Sequence, residues 1–134
     1  MKILLDTHIL IWAMLDRPNL SSKARELILQ NRYALYYSMV SIWEIAIKHR
    51  LHPESIGSSG TSVMKLCQEA KIKSLSLTNQ HIAAFEHLQR HESAPPHKDP
   101  FDQMLIAQAA AEDIIFLTHD KTLQFYEGVN IELV

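Results

Sequence analysis

Four acidic residues, Asp6, Glu44, Asp102 and Asp120, recur where apolar strand-like runs hand over to helical patterns. Asp6 directly follows the run at residues 2–5, and Asp120 comes just after the run at 114–117. Glu44 lies about one turn into the helical pattern that succeeds residues 34–37, and Asp102 sits in the first turn of the helix that leads back to the strand ending near Asp120. In an open parallel sheet, ligands bind beyond the carboxyl ends of the strands, so this placement predicts one shared site. Carboxylates gathered there without Arg or Lys beside them in sequence repel one another. A hard divalent cation such as Mg2+ or Mn2+ relieves that repulsion. Such an ion activates water and stabilises the attacking and leaving oxygens of a phosphodiester, which predicts phosphate chemistry without separating a nuclease from a phosphatase.

Each acid also has a purely structural role open to it. Asp6 and Asp120 fit as N-caps of helices starting at Thr7 and Thr122, and Ser41-Ile42-Trp43-Glu44 spells a capping box. Asp99-Pro100-Phe101-Asp102 reads as cap, first-turn proline and third-position acid, and the cap role suits Asp99 best. Capping demands no convergence in space, whereas strand-end placement brings the acids to one edge. Glu44 adds weight, because it lies beside an apolar stripe of Val40, Trp43, Ile47 and Leu51, and a carboxylate near apolar packing needs a partner.

The elements that must position these groups alternate. Short strands are expected at residues 2–5, 34–37, 74–77, 114–117 and 129–133. Helices are expected at 7–15, 23–30, 39–51, 63–70, 79–88, 99–111 and 122–126, with loops at 52–61 and 91–98. This order predicts an α/β fold of three layers, a mostly parallel sheet covered on both faces. The 134 residues fit a single domain spanning 1–134.

Composition narrows the function. At 47% hydrophobic and 21% charged residues, the chain is neither disordered nor a disulfide scaffold. The lone Cys67 excludes an internal disulfide and a paired-cysteine zinc site, which suits a reducing cytoplasm. Asp6 and His8 interrupt the first apolar stretch, so no signal peptide or membrane anchor is expected. Thirteen basic against fifteen acidic residues give a net charge of −2, so attraction to nucleic acid must be local. The basic clusters are Lys48, His49, Arg50 and His52; Lys71 and Lys73; and Arg90, His91, His97 and Lys98.

Leu4-Leu5-Asp6-Thr7-His8, the Ser41–Glu44 segment, Asp99-Pro100-Phe101-Asp102-Gln103-Met104-Leu105-Ile106-Ala107-Gln108-Ala109 and Leu117-Thr118-His119-Asp120 together resemble the PIN-domain family, and more narrowly its VapC-type toxin branch. The resemblance implies an α/β/α fold and a metal-dependent ribonuclease. Its acidic site would be Asp6, Glu44, Asp102 and Asp120, with hydroxyl assistance from Thr7 and Thr118. It further implies a homodimer, a small antitoxin that silences the site, and an RNA substrate. Asp99 remains either a cap or a supporting acid, and His8, His97 and His119 flank the expected site either as phosphate or proton groups or as ordinary surface histidines. Trp12, Trp43, Phe101 and Tyr126 are expected in the core or an interface. A receiver domain is excluded because only Asp6 follows the first strand, and a haloacid-dehalogenase-like phosphatase because His8 stands where its second Asp belongs. The rival from another class is a PIN-like RNA-binding or regulatory scaffold without activity, which a Lys or Arg filling the acid cavity would favour.

Overall fold

A computed structural model describes residues 1–134. Five strands, β1 (Ile3–Leu5), β2 (Leu35–Ser38), β3 (Lys73–Leu75), β4 (Ile115–Thr118) and β5 (Ile131–Leu133), form one sheet in the order β3-β2-β1-β4-β5. Every pairing is parallel. The expected mostly parallel sheet is therefore wholly parallel, with β1 at its centre and a switch in strand order between β1 and β4.

Alternation along the strands divides the core in two. Ile3, Leu5, Leu35, Tyr37 and Leu117 face one side, where they meet α1 (Thr7–Met14), α2 (Ser22–Gln30) and α5 (Gly60–Glu69). Leu4 and Phe116 face the other, beneath α7 (Pro100–Glu112). Burial of both faces is what a parallel sheet requires, and it explains why its strands read as continuous apolar runs. α3 (Met39–Leu51) serves both sides, giving Ile42 and Ile45 to one cluster and Val40 to the other.

Several expected boundaries shift. The loop expected at 52–61 contains α4 (Pro53–Ile56), and α5 begins already at Gly60. Gly60 is there because a Cβ would lie 2.7 Å from the Ile42 carbonyl oxygen, so only glycine lets α5 start this close to α3. β3 starts one residue earlier than expected, β5 is shorter, and the last helix is a 3-10 segment, Lys121–Phe125. Cys67 is buried in the first cluster, and that burial pushes its thiol up to about 12.

α6 (Asn79–Glu86) is tied to α7 by buried polar groups as well as by packing. The Thr78 amide donates to Nδ1 of the fully buried His81 at 3.0 Å, which leaves the ring's Nε2–H to donate to Glu112 at 2.9 Å. Gln108, equally buried, receives the Ser38 hydroxyl and reaches the Ser76 carbonyl at 3.4 Å. Ser38 in turn caps α3 by accepting from the Val40 amide.

Candidate active site

Asp6 follows the last residue of β1, its amide donating to the Leu117 carbonyl of β4 at 2.9 Å. That bond sets Asp6 across the strand-order switch from β4. Thr118, the last residue of β4, donates its hydroxyl to Asp6 Oδ2 at 2.6 Å, while Oδ1 accepts from the Thr7 amide at 2.7 Å. Asp6 is therefore both the cap of α1 and a carboxylate at the sheet edge, so the two readings of this residue do not compete. Burial raises its pKa despite the opposing hydrogen bonds from Thr118 and Thr7 and the charge of His8, and Glu44 adds to the rise.

Glu44 is buried on α3, yet not by the arrangement expected from its sequence. The helix starts at Met39 under a Ser38 cap, so Ser41 and Glu44 form no capping box; the Ser41 hydroxyl instead accepts from that of Thr7 at 2.9 Å. The buried face runs through Val40, Ser41, Glu44 and Ile45, while Trp43 and Leu51 of the expected stripe are 62% and 68% exposed. A second correction concerns charge: Lys48, one turn on, donates to Glu44 Oε2 at 2.7 Å. The other oxygen, Oε1, is buried with no hydrogen-bond partner. Burial alone would pull the Lys48 pKa down, but the hydrogen bond and charge of Glu44, with Asp99 and Asp102, carry it up instead.

Asp102 lies in the first turn of α7, whose cap is Asp99, accepting from the amides of Phe101 and Asp102 at 2.9 and 3.2 Å. The cap reading of Asp99 describes its contacts. Burial lifts the Asp102 carboxyl to about 8, and Asp6, Asp99, Glu44 and Asp120 all push the same way. Mutual repulsion of this kind is how the five acids register one another. Asp120 caps the 3-10 segment through the Thr122 amide at 2.9 Å, and its own amide donates to Thr118 Oγ1 at 3.1 Å.

Asp120 links two halves of the site. With Asp6, His8, Trp12 and His119 it lines one open cleft of about 310 Å³. With Asp102 and His97 it forms a group whose ligand atoms all lie within 4.8 Å of one another. His97, one of three flanking histidines of undecided role, is thus inside the site. Gln103 donates to the Tyr126 hydroxyl at 3.3 Å, and that hydroxyl lies 2.7 Å from His97 Nδ1, which aims Nε2 at Asp102 Oδ2, 3.3 Å away. Burial, then Arg90, lowers the His97 pKa against the pull of Asp120 and Asp99. No signal in the sequence singled out His97 from His8 and His119, because the Tyr126 contact spans 29 residues. Tyr126 is in the core as expected; Trp43 meets Phe101 edge-on, with ring centres 5.4 Å apart, and is 62% exposed.

A sequence profile of the PIN domain matches residues 3–128, nearly the whole chain. The chain belongs to the PIN-domain family. Solved structures similar to this PIN domain include the VapBC2 complex of Rickettsia felis bound to a promoter DNA fragment, with a TM-score of 0.72 and 12% identity, covering 99% of this chain and 98% of that one. DNA-bound VapBC from Salmonella typhimurium has a TM-score of 0.69 and 17% identity, with 98% and 97% covered. FitAcB from Neisseria gonorrhoeae has a TM-score of 0.64 and 17% identity, with 96% and 95% covered. At such identities the likeness carries the fold, and the α/β/α expectation for this PIN domain holds. No curated protein matches the sequence. No helix of this PIN domain is long and apolar enough to cross a membrane.

Proposed function

We propose that the protein is a divalent-metal-dependent ribonuclease acting through Asp6, Glu44, Asp102 and Asp120, and the toxin of a toxin–antitoxin pair. PIN domains are in general nucleases, and the observation that carries the reading here is the unpaired Oε1 of Glu44. A buried carboxylate oxygen without a donor is costly, and a donor set dominated by carboxylate oxygens, with the His97 imidazole beside Asp102 and Asp120, suits Mg2+ or Mn2+. The rise of Asp102 to about 8 supports the same fit, since a cation would take the place of its proton. A bound ion supplies an acidified water and neutralises charge at the phosphodiester.

The chain's own groups do the positioning. Thr118 and the Thr7 amide hold both oxygens of Asp6, so its carboxylate cannot rotate away. Tyr126 fixes the His97 ring with Nε2 toward Asp102. The similarity to toxin–antitoxin complexes supports a small partner protein for this chain, and the family resemblance supports a homodimer. On the N-terminal helix, Ile11 is buried while Trp12 and Leu15 pack on the core and stay partly exposed.

One observation favours the silent-scaffold reading: Lys48 occupies Glu44 Oε2. It stands at the rim with its side chain 43% exposed and leaves Oε1 free, so it narrows the donor set without closing it. The test is incubation of the full chain with single-stranded RNA in EDTA, Mg2+ or Mn2+. Cutting only with an ion is expected. Absence of cutting in a chain that binds Mn2+ by calorimetry would leave the scaffold. The toxin assignment is tested by expression in a bacterium, with growth arrest expected for the wild type and normal growth for Asp6→Asn.

A further inference from the structure

The acid cleft has a neighbour of opposite charge. A cavity of about 240 Å³ opens between α1, α3 and α4, walled by His8, Trp12, Arg17, Lys48 and Ser55. His8 and Trp12 line both cavities, so the two are adjoining rooms with a common aromatic wall, their rings 5.8 Å apart. Asp6 and Asp120 lie on one side of that wall and Arg17 on the other, while Lys48 stands between the two, lining this cavity and donating to Glu44 Oε2 at 2.7 Å. Arg17 has no carboxylate partner. Its guanidinium donates to the Ile56 carbonyl at 2.7 Å, and the left-handed Gly57 at the end of α4 lets it pass where a Cβ would be 3.2 Å away. One donor of the fork is used to hold the group in place while the others stay free to face the cavity.

With a net charge of −2 and five acids at the centre, the chain attracts a polyanion only through local cations. We propose that this second cavity seats a phosphate of the RNA strand next to the one being cut, held by Arg17 with Lys48, with the intervening nucleotide crossing the Trp12–His8 wall. The inference rests on the ribonuclease reading for its substrate. Arginine suits the role because its planar fork matches phosphate oxygens, and an aromatic face beside it accepts a base of any sequence.

The experiment compares wild type with Arg17→Gln and Arg17→Lys on a labelled single-stranded oligoribonucleotide. Binding is read by fluorescence anisotropy in EDTA over a range of salt, and cutting in Mg2+. Arg17→Gln should bind about tenfold more weakly, the worth of one charge-assisted contact. Its slope of log K against log salt should fall by about 0.7, the value for one lost phosphate contact on a single strand. Arg17→Lys, which keeps the charge, should retain the slope. A neutral methylphosphonate at one phosphate flanking the cut should cost wild type the same tenfold and cost Arg17→Gln nothing more. An unchanged slope in a folded Arg17→Gln protein overturns the proposal. So does an additive loss with the methylphosphonate, and so does an unchanged slope accompanied by loss of a co-expressed antitoxin, which gives the cavity to a protein. Predicted binding without cutting removes the nuclease reading and keeps the phosphate seat.

Discussion

Two groups of buried polar side chains sit on this sheet, and they are built on opposite terms. Around His81 and Gln108, the buried nitrogens and oxygens meet partners: Thr78, Glu112, Ser38 and the Ser76 carbonyl. Around Asp6 and Glu44, one oxygen has no partner and one carboxyl sits at about 8. A closed network fixes how helices meet, and nothing further can bind it without breaking a bond. An open one lowers stability by itself and is retained where a ligand completes it. The contrast separates architecture from chemistry where burial alone does not.

The sharpest way to break that contrast is Asp6→Asn. The amide keeps the cap of α1 but removes charge from the crowded site. We expect ion-dependent RNA cutting to fall ~100-fold or more, with the melting temperature of the metal-free protein unchanged or raised. A mutant that cuts RNA as wild type does would reduce Asp6 to a cap. In the closed network the expected signs reverse. Gln108→Leu strands the Ser38 hydroxyl and should cost about 1–3 kcal/mol by urea unfolding, while activity per folded molecule persists. A stable Gln108→Leu protein would mean that the network is ornamental.

Much of this was legible from residue order. The strands flanking Asp6 and Asp120 are uniformly apolar because both sheet faces are covered, so their ends could be read. Periodicity misplaces part of α3, because its buried face carries Ser41 and Glu44 where a core helix normally carries apolar groups, while Trp43 and Leu51 are exposed. Periodicity assigns such a helix to the wrong side whenever its function puts polar groups inward. His81 gives no signal and Gln108 enters only as a letter of the family motif, since single polar residues on helices look like surface until α6 meets α7.

A third expectation concerns pH. The carboxyl of Asp102 binds its proton up to about 8 when folded, against the ordinary 3.8 when unfolded. Between those values the folded metal-free chain holds more protons than the unfolded one, so stability falls as pH rises through this window, by an amount on the order of a few kcal/mol. Asp6 acts in the same direction. His97, whose pKa is lowered, opposes both below its ordinary 6.5, so the decline should be cleanest from about 6.5 to 8. Thermal melts across that range should show it, and Mg2+ should flatten it by replacing the proton. A pH-independent melt without metal would contradict the open-site description. The smallest effect is expected from Asp99→Asn, which preserves the cap of α7: stability within about 0.5 kcal/mol and cutting largely retained. A loss as deep as that of Asp6→Asn would move Asp99 from cap to ligand.

The bond from Thr118 to Asp6 joins residues 112 positions apart. During synthesis, Asp6 and Glu44 leave the ribosome long before β4 exists to pair with β1 and before Asp102 and Asp120 have been added. On the ribonuclease reading, a growing chain therefore lacks the assembled pocket until β4 has been made and paired with β1. Chains stopped at Glu112, before β4, should cut no RNA even when rich in Mg2+. Any activity in them would show that the pocket assembles without its last wall.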